Sequence, residues 1–236
     1  MLRLPRLIPR LDIKGNHVIK GINLEGLRVV GKPAELARRY ALDADELLYI
    51  DAVASLYGRN ALAPLVEEAT RDVFIPITVG GGIRSRADVD RLLRSGADKV
   101  AINTAAIANP TLLADLAQHY GSQAIVLSIE AKRGPLGWEC FTDGGRQATG
   151  RCAQRWAQEA VSLGCGEILL TSIDRDGTRK GFDHELLEAI APEVDVPVVI
   201  SGGMGKLSDM EKVKGAHGIA MASVLHYNIL TIGEMR

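Results

Sequence analysis

Short runs of aliphatic and β-branched residues recur along this chain at intervals of roughly thirty residues, nearly continuous in their apolar character rather than alternating with polar positions. They read as strands over Leu7–Ile13, Glu46–Asp51, Ile75–Val79, Lys99–Asn103, Ala124–Ile129, Glu167–Ser172, Val196–Ser201 and Gly218–Ser223. Between them, apolar residues take helical spacing over Ala61–Asp72, Arg86–Ser95, Thr111–His119, Ala153–Leu163 and His184–Ala191, several of these segments opening after Pro, Ser, Asn or Asp. Continuous apolar strands alternating with helices predict a parallel sheet covered on both faces. Eight such units in a chain of this length predict closure into a (β/α)8 TIM barrel, with an open doubly wound sheet as the alternative. The last units look curtailed: Leu207–Lys214 is a short helix candidate and the final one spans only Ile229–Arg236, which predicts a weak barrel seam.

The pattern also repeats. LDIK, ADELLYID, VGGGIR and GADKVAINTAA in the first half are echoed by IEAK, CGEILLTSID, SGGMGK and GAHGIAMASVL in the second, with matching points about 120 residues apart. Two half-barrels, about 1–120 and 121–236, account for this within a single barrel domain over residues 1–236. At 236 residues and 47% hydrophobic the chain can bury a large core. A formal charge of −1 removes any general argument for nucleic acid or a membrane surface as partner. Cys140, Cys152 and Cys165 are odd in number and widely spaced, which fits packing in a reducing compartment. The opening MLRLPRLIPRLD is too broken by Arg and Pro for a secretory signal, and no apolar run approaches a membrane span, so a soluble cytoplasmic protein is expected.

Catalytic groups in such a barrel come from the C-terminal ends of strands and the loops after them. Asp12 and Glu130 end the first and fifth predicted strands and therefore face each other across the mouth, an arrangement suited to one acid delivering a proton while the other accepts one. Gly80-Gly81-Gly82 and Ser201-Gly202-Gly203 follow equivalent strands, and consecutive glycines expose backbone N–H groups that can surround phosphate oxygens. Asn103-Thr104 and Ala222-Ser223 add polar groups beside them, so Gly82 and Gly203 mark two anion pockets, and two pockets imply a long bisphosphorylated ligand. Thr171, Asp176 and Gly177 crowd the end of the sixth strand, and Lys20, read as a loop residue past the first strand, is placed to meet ligand charge. At the opposite end Arg6, Glu46, Lys99 and Glu167 begin four strands where a barrel normally stacks apolar side chains, either as a salt-bridge cluster or as a polar gate through the floor.

The ordered motifs PRLDIKGNHVIKG, DELLYIDAVAS, IPITVGGGIR, GADKVAINTAA, YGSQAIVLSIEAKR, GGRQATG, GEILLTSIDRDGTRKGFD and SGGMGK resemble the cyclase subunits of imidazole glycerol phosphate synthase over essentially the whole chain. The resemblance implies a lyase of histidine biosynthesis that takes ammonia from a glutaminase partner. It would convert a phosphoribulosyl-formimino aminoimidazole carboxamide ribonucleotide into imidazole glycerol phosphate and the aminoimidazole carboxamide ribotide, with no metal or organic cofactor. It implies Asp12 and Glu130 as the catalytic acids. Gly82, Asn103, Thr104, Gly177, Gly203, Ala222 and Ser223 fall at phosphate-binding positions, with Lys20, Thr171 and Asp176 near the reacting centre. Arg6, Glu46, Lys99 and Glu167 become the ammonia gate, and Asp98 and Gln123 fall on the face that docks the glutaminase. One departure stands out: the family carries aspartate where this chain has Glu130, and a shift of about 1 Å in such a site can cost roughly a hundredfold, which implies slow cyclisation. Two alternatives fit the same residues, a paralogue that uses channelled ammonia to amidinate a surface sugar and a non-catalytic barrel that activates a glutaminase.

Overall fold

The structure, a computed structural model, describes residues 5–54 and 62–236. The expected helix start at Ala61, the last residue of the DELLYIDAVAS motif (Ser55) and residues 1–4 lie outside these.

The described residues form twelve strands: β1 (Arg6–Lys14), β2 (His17–Ile22), β3 (Glu25–Gly31), β4 (Leu47–Asp51), β5 (Ile77–Gly80), β6 (Lys99–Ile102), β7 (Ile125–Gly134), β8 (Gly137–Thr142), β9 (Gln147–Cys152), β10 (Glu167–Ser172), β11 (Val198–Ser201) and β12 (Gly218–Met221). Eight of them, in the order β1-β4-β5-β6-β7-β10-β11-β12, pair in parallel and close through β12 on β1. This is the (β/α)8 barrel. The expected weak seam is absent: β12 pairs with β1 from Arg6↔Gly218 to Pro9↔Met221 and with β11 on its other side. The curtailed elements are there, as a 3-10 helix over Leu207–Lys212 and a 3-10 turn over Gly233–Met235, but the closing strand does not depend on their length.

The helices are α1 (Pro33–Ala41), α2 (Ala63–Ala69), α3 (Arg86–Arg94), α4 (Thr104–Ala108), α5 (Thr111–Tyr120), α6 (Ala153–Ser162), α7 (His184–Ile190) and α8 (Ser223–His226). Their starts follow local chemistry. Ser85 and Asp88 form a capping box at α3, and the Asp183 carboxylate accepts from the Leu186 N–H at α7. Successive residues of each strand point to opposite faces, which divides the core in two. Leu11, Ile13, Leu47, Tyr49, Ile77 and Val79 face the helices, with Trp156 of α6 the largest fully buried side chain of that outer shell. Ile8, Leu48, Ala101, Val126, Leu169, Val199 and Ala220 point inward and form a separate apolar layer within the lumen. Among the described residues no helix is long and apolar enough to cross a membrane.

The main departure from the sequence expectation is an extension on each half. β1 continues past Asp12 to Lys14 and turns into the antiparallel meander β1-β2-β3; β7 continues past Glu130 to Gly134 and turns into β7-β8-β9. Both acids therefore lie within strands rather than at their ends. The repeat extends to these meanders, which stand over the barrel mouth.

Candidate active site

The lumen is organised in levels, each set by the two-residue period of the strands. At the floor Arg6 donates to Glu46 Oε2 at 2.6 Å and to Glu167 Oε1 at 2.8 Å, while Lys99 Nζ lies 3.0 Å from Glu46 Oε2 and 2.9 Å from Glu167 Oε2. Two cations and two carboxylates thus close a neutral ring. Thr78 Oγ1 donates to Glu46 Oε1 at 2.5 Å and fastens the ring to β5. Asp98 and Gln123 lie exposed just before β6 and β7, at this same end. Asp98 also accepts from the Ile77 N–H at 2.8 Å, so its carboxylate caps a neighbouring strand.

Two residues above the apolar layer on β1 sits Arg10, a buried guanidinium in the lumen. Its Nε donates to Asp12 Oδ1 at 2.8 Å, and its Nη1 reaches Thr171 Oγ1 on β10 at 2.9 Å and Ser201 Oγ on β11 at 3.3 Å. Asp12, Lys20 and Asp176 complete a buried chain of alternating charge: Lys20 Nζ is 2.7 Å from Asp176 Oδ2 and 3.7 Å from Asp12 Oδ2. Lys20 is not a loop residue. It lies within β2, whose pairing with β1 turns the side chain inward, where it is 3% exposed.

Burial pushes Asp12 up, but the Arg10 guanidinium and then Lys20 outweigh it and hold the carboxyl below the usual carboxylate range. Glu130 has the opposite environment. β7 lies diametrically across the eight-stranded ring from β1, and burial pushes Glu130 up to about 7, with Arg10 and the Gly145 N–H only partly opposing. Its Oε2 accepts from the Gly145 N–H at 2.8 Å and from Asn103 Nδ2 at 3.2 Å. With that oxygen doubly engaged, a proton on Glu130 belongs on Oε1. The two acids are thereby split at neutral pH, one an anion and the other half-protonated.

The predicted anion pockets flank them. Gly81, Gly82, Asn103, Thr104 and Glu130 line a cavity of about 380 Å³ in the first half. Gly177, Gly203, Ala222, Ser223 and Lys20 line its counterpart, a cleft that shares Lys20, Gly177 and Ser223 with an adjoining cavity of about 570 Å³. Asn103 and Ala222 share an unusual backbone conformation, with φ −122° and −130°, and put Thr104 and Ser223 at the first turns of α4 and α8. Both pockets depend on glycine backbone. Gly203 has φ +109°, and a Cβ there would stand 2.2 Å from the Gly181 carbonyl oxygen. Gly177 has φ +70°, and its Cβ would meet the Gly21 oxygen at the same 2.2 Å, where the first meander crosses the Thr171–Thr178 turn.

Three contributors were not assigned from the sequence. Arg10 stands in the quoted PRLDIK motif, two residues before Asp12, and the strand period alone places both on one face. Gly145 required knowledge of the second meander. His226, buried on α8, bonds the Arg10 carbonyl through Nε2 at 3.2 Å and Tyr40 Oη through Nδ1 at 2.8 Å, and burial lowers it to about 4. A carbonyl can only accept, which fixes the proton on Nε2 and leaves Nδ1 to accept from the tyrosine. Cys140 and Cys165 are buried, their thiols pushed up to about 12 by burial, and Cys152 is half-buried; all are free thiols.

Residues 6–231 match the model of the histidine biosynthesis protein family. The chain belongs to this family. A relative from Legionella pneumophila, named imidazole glycerol phosphate synthase subunit HisF, is 61% identical over 86% of this chain and 97% of its own length. Proteins of the same name from Beutenbergia cavernae and from Mycobacterium tuberculosis are each 50% identical over 98% of this chain, covering 94% and 90% of their own lengths. Within the histidine biosynthesis family, then, this barrel pairs a neutral charged floor with a mouth whose two acids differ in state between two glycine-lined pockets.

Proposed function

We propose that the chain is the cyclase subunit of imidazole glycerol phosphate synthase, acting in the cytoplasm with a glutaminase that docks on the floor around Asp98 and Gln123. The observation that carries this reading is the opposed pair, Asp12 and Glu130, in different protonation states between two glycine-lined pockets. Ammonia enters through the Arg6, Glu46, Lys99 and Glu167 ring and meets a bisphosphorylated ribulosyl substrate held across the mouth, one phosphate at Gly82, Asn103 and Thr104, the other at Gly177, Gly203, Ala222 and Ser223. As ammonia adds to the ribulosyl carbonyl, the Asp12 carboxylate stabilises the cationic nitrogen that forms. Water and then the aminoimidazole amine leave, each taking a proton from Glu130 Oε1, and Glu130 is reprotonated each time by a proton that the added nitrogen or the substrate gives up as the ring forms.

The extra methylene of Glu130 has a use in this reading: it carries the carboxylate to the Gly145 N–H and Asn103. The slow cyclisation expected from sequence is therefore replaced by the expectation that Glu130→Asp lowers turnover, by about 10- to 100-fold, because a shorter chain loses these donors. The decisive assay supplies ammonium salt and the bisphosphorylated ribulosyl substrate. Turnover by the parent chain, lost in Asp12→Asn and Glu130→Gln, supports the reading; a folded parent that binds substrate without converting it sinks it.

A further inference from the structure

Arg10 occupies a position where a barrel places an apolar side chain, directly above the layer of Ile8, Leu169 and Val199. A guanidinium buried there is strongly unfavourable without partners, and the partners it has are specific. Thr171 and Ser201 stand on β10 and β11, respectively three and two strands round the ring from β1, so the side chain bridges the lumen rather than lying along its own strand. Both hydroxyls are neutral acceptors. They orient the guanidinium and leave its charge to Asp12, which receives the Nε donor at 2.8 Å. The Arg10 carbonyl is held in turn by His226.

We propose that Arg10 is a positioning residue that divides the work of the two acids: bridging from Asp12 to Thr171 and Ser201, it fixes Asp12 as a permanent anion and leaves proton exchange to Glu130. This rests on the reading of Asp12 and Glu130 as the working pair. The charged groups that face Asp12 are Arg10, Lys20, His226, Glu130 and Asp176. His226 is neutral above about pH 4. Lys20 is 1.0 Å closer to Asp176 than to Asp12, being 2.7 Å from one and 3.7 Å from the other. Arg10 is therefore the cation that hydrogen-bonds Asp12 directly, with Lys20 a more distant ion-pair partner at 3.7 Å. A role confined to holding strands together would require neither the Nε orientation nor a carboxylate exposed to the ligand cavity, and both Asp12 and Arg10 line the central cavity beside Glu130.

The test reads Asp12 without substrate. Carboxyl carbon-13 NMR titrations of the full chain, with the Asp12 resonance identified through Asp12→Asn, compare the parent with Arg10→Met and Arg10→Lys. The expected midpoint of Asp12 lies below the ordinary carboxylate range in the parent, rises by about one unit or more in Arg10→Met, and returns toward the parent value in Arg10→Lys. With ammonium salt at constant free ammonia, Arg10→Met should lower kcat by about tenfold or more with a smaller change in KM, and add an acidic ionisation to the kcat/KM profile that the parent lacks. An Asp12 midpoint that is the same in Arg10→Met and the parent overturns the proposal. Should Arg10→Met fail to fold, Thr171→Val combined with Ser201→Ala frees the guanidinium without removing its charge, and an unmoved Asp12 midpoint there is equally fatal. Absence of turnover in the parent strikes the cyclase reading alone, because the titration still decides the role of Arg10.

Discussion

Glu130 and His226 are buried acids and bases whose folding contributions oppose each other. Glu130 rises from 4.5 to about 7 on folding, so the native state binds the extra proton and stability falls as pH climbs through that window. His226 drops from 6.5 to about 4, so the native state binds fewer protons and stability rises between those values. Each shift corresponds to roughly 3 kcal/mol, and between pH 4.5 and 6.5 they largely cancel. Glu130→Gln should uncover the histidine alone: thermal melts of this variant should show a midpoint that climbs with pH from about 4.5 to 6.5, more steeply than in the parent. At this scale the sequence disclosed which residues meet, through the repeat and the strand period, but not their states. Asp12 and Glu130 occupy matching places in LDIK and IEAK; what separates them is Arg10 beside one and the Gly145 N–H beside the other.

Secondary structure was legible where periodicity is long or the apolar run continuous. Expected helix limits at Arg86–Ser95 and Ala153–Leu163 meet observed ones at Arg86–Arg94 and Ala153–Ser162. The meanders were not, because GNHVIKG and GPLGWECF alternate only briefly and their turns sit in glycine-rich sequence that also reads as loop. The small α4 and α8 were not expected either, only Ser223 of α8 falling in an expected strand, because four or five residues carry no periodic signal. Two predictions belong here. Gly177→Ala, at φ +70° and with a Cβ 2.2 Å from Gly21 O, should push the first meander off the Thr171–Thr178 turn. We expect a loss of about 1–3 kcal/mol in denaturant unfolding and weaker binding of inorganic phosphate on the Gly203 side. Trp156→Ala, in the outer shell, should cost about 3–5 kcal/mol in the same measurement while leaving phosphate binding intact at temperatures where it folds.

The whole molecule is a duplicated frame made to do two different things at its two ends. At the floor one neutral ring closes, and the repeat supplies only its acids: Glu46 and Glu167 are counterparts in the two halves, whereas Arg6 and Lys99 both come from the first. Lys99→Met should leave turnover with ammonium salt within about threefold of the parent and reduce glutamine-driven turnover in the complex by about tenfold or more, read as the ratio of the two rates. Loss of both rates together would place Lys99 in the fold rather than in delivery.

Between the floor ring and Arg10 lies the layer of Ile8, Leu48, Ala101, Val126, Leu169, Val199 and Ala220. A weak base and its conjugate acid differ there by one full charge, and an unpaired ion in an apolar lining is far costlier than a neutral molecule of the same size. Ammonia entering as proposed must shed any proton on the floor side, so none arrives with it at the mouth. The protons that the departing water and amine take up at the mouth are those that the added nitrogen and the substrate give up as the ring forms, relayed through Glu130, so cyclisation draws none from solvent. Turnover on ammonium then leaves one proton at the floor face for each ring closed at the mouth, so acid and product part on opposite sides of the barrel.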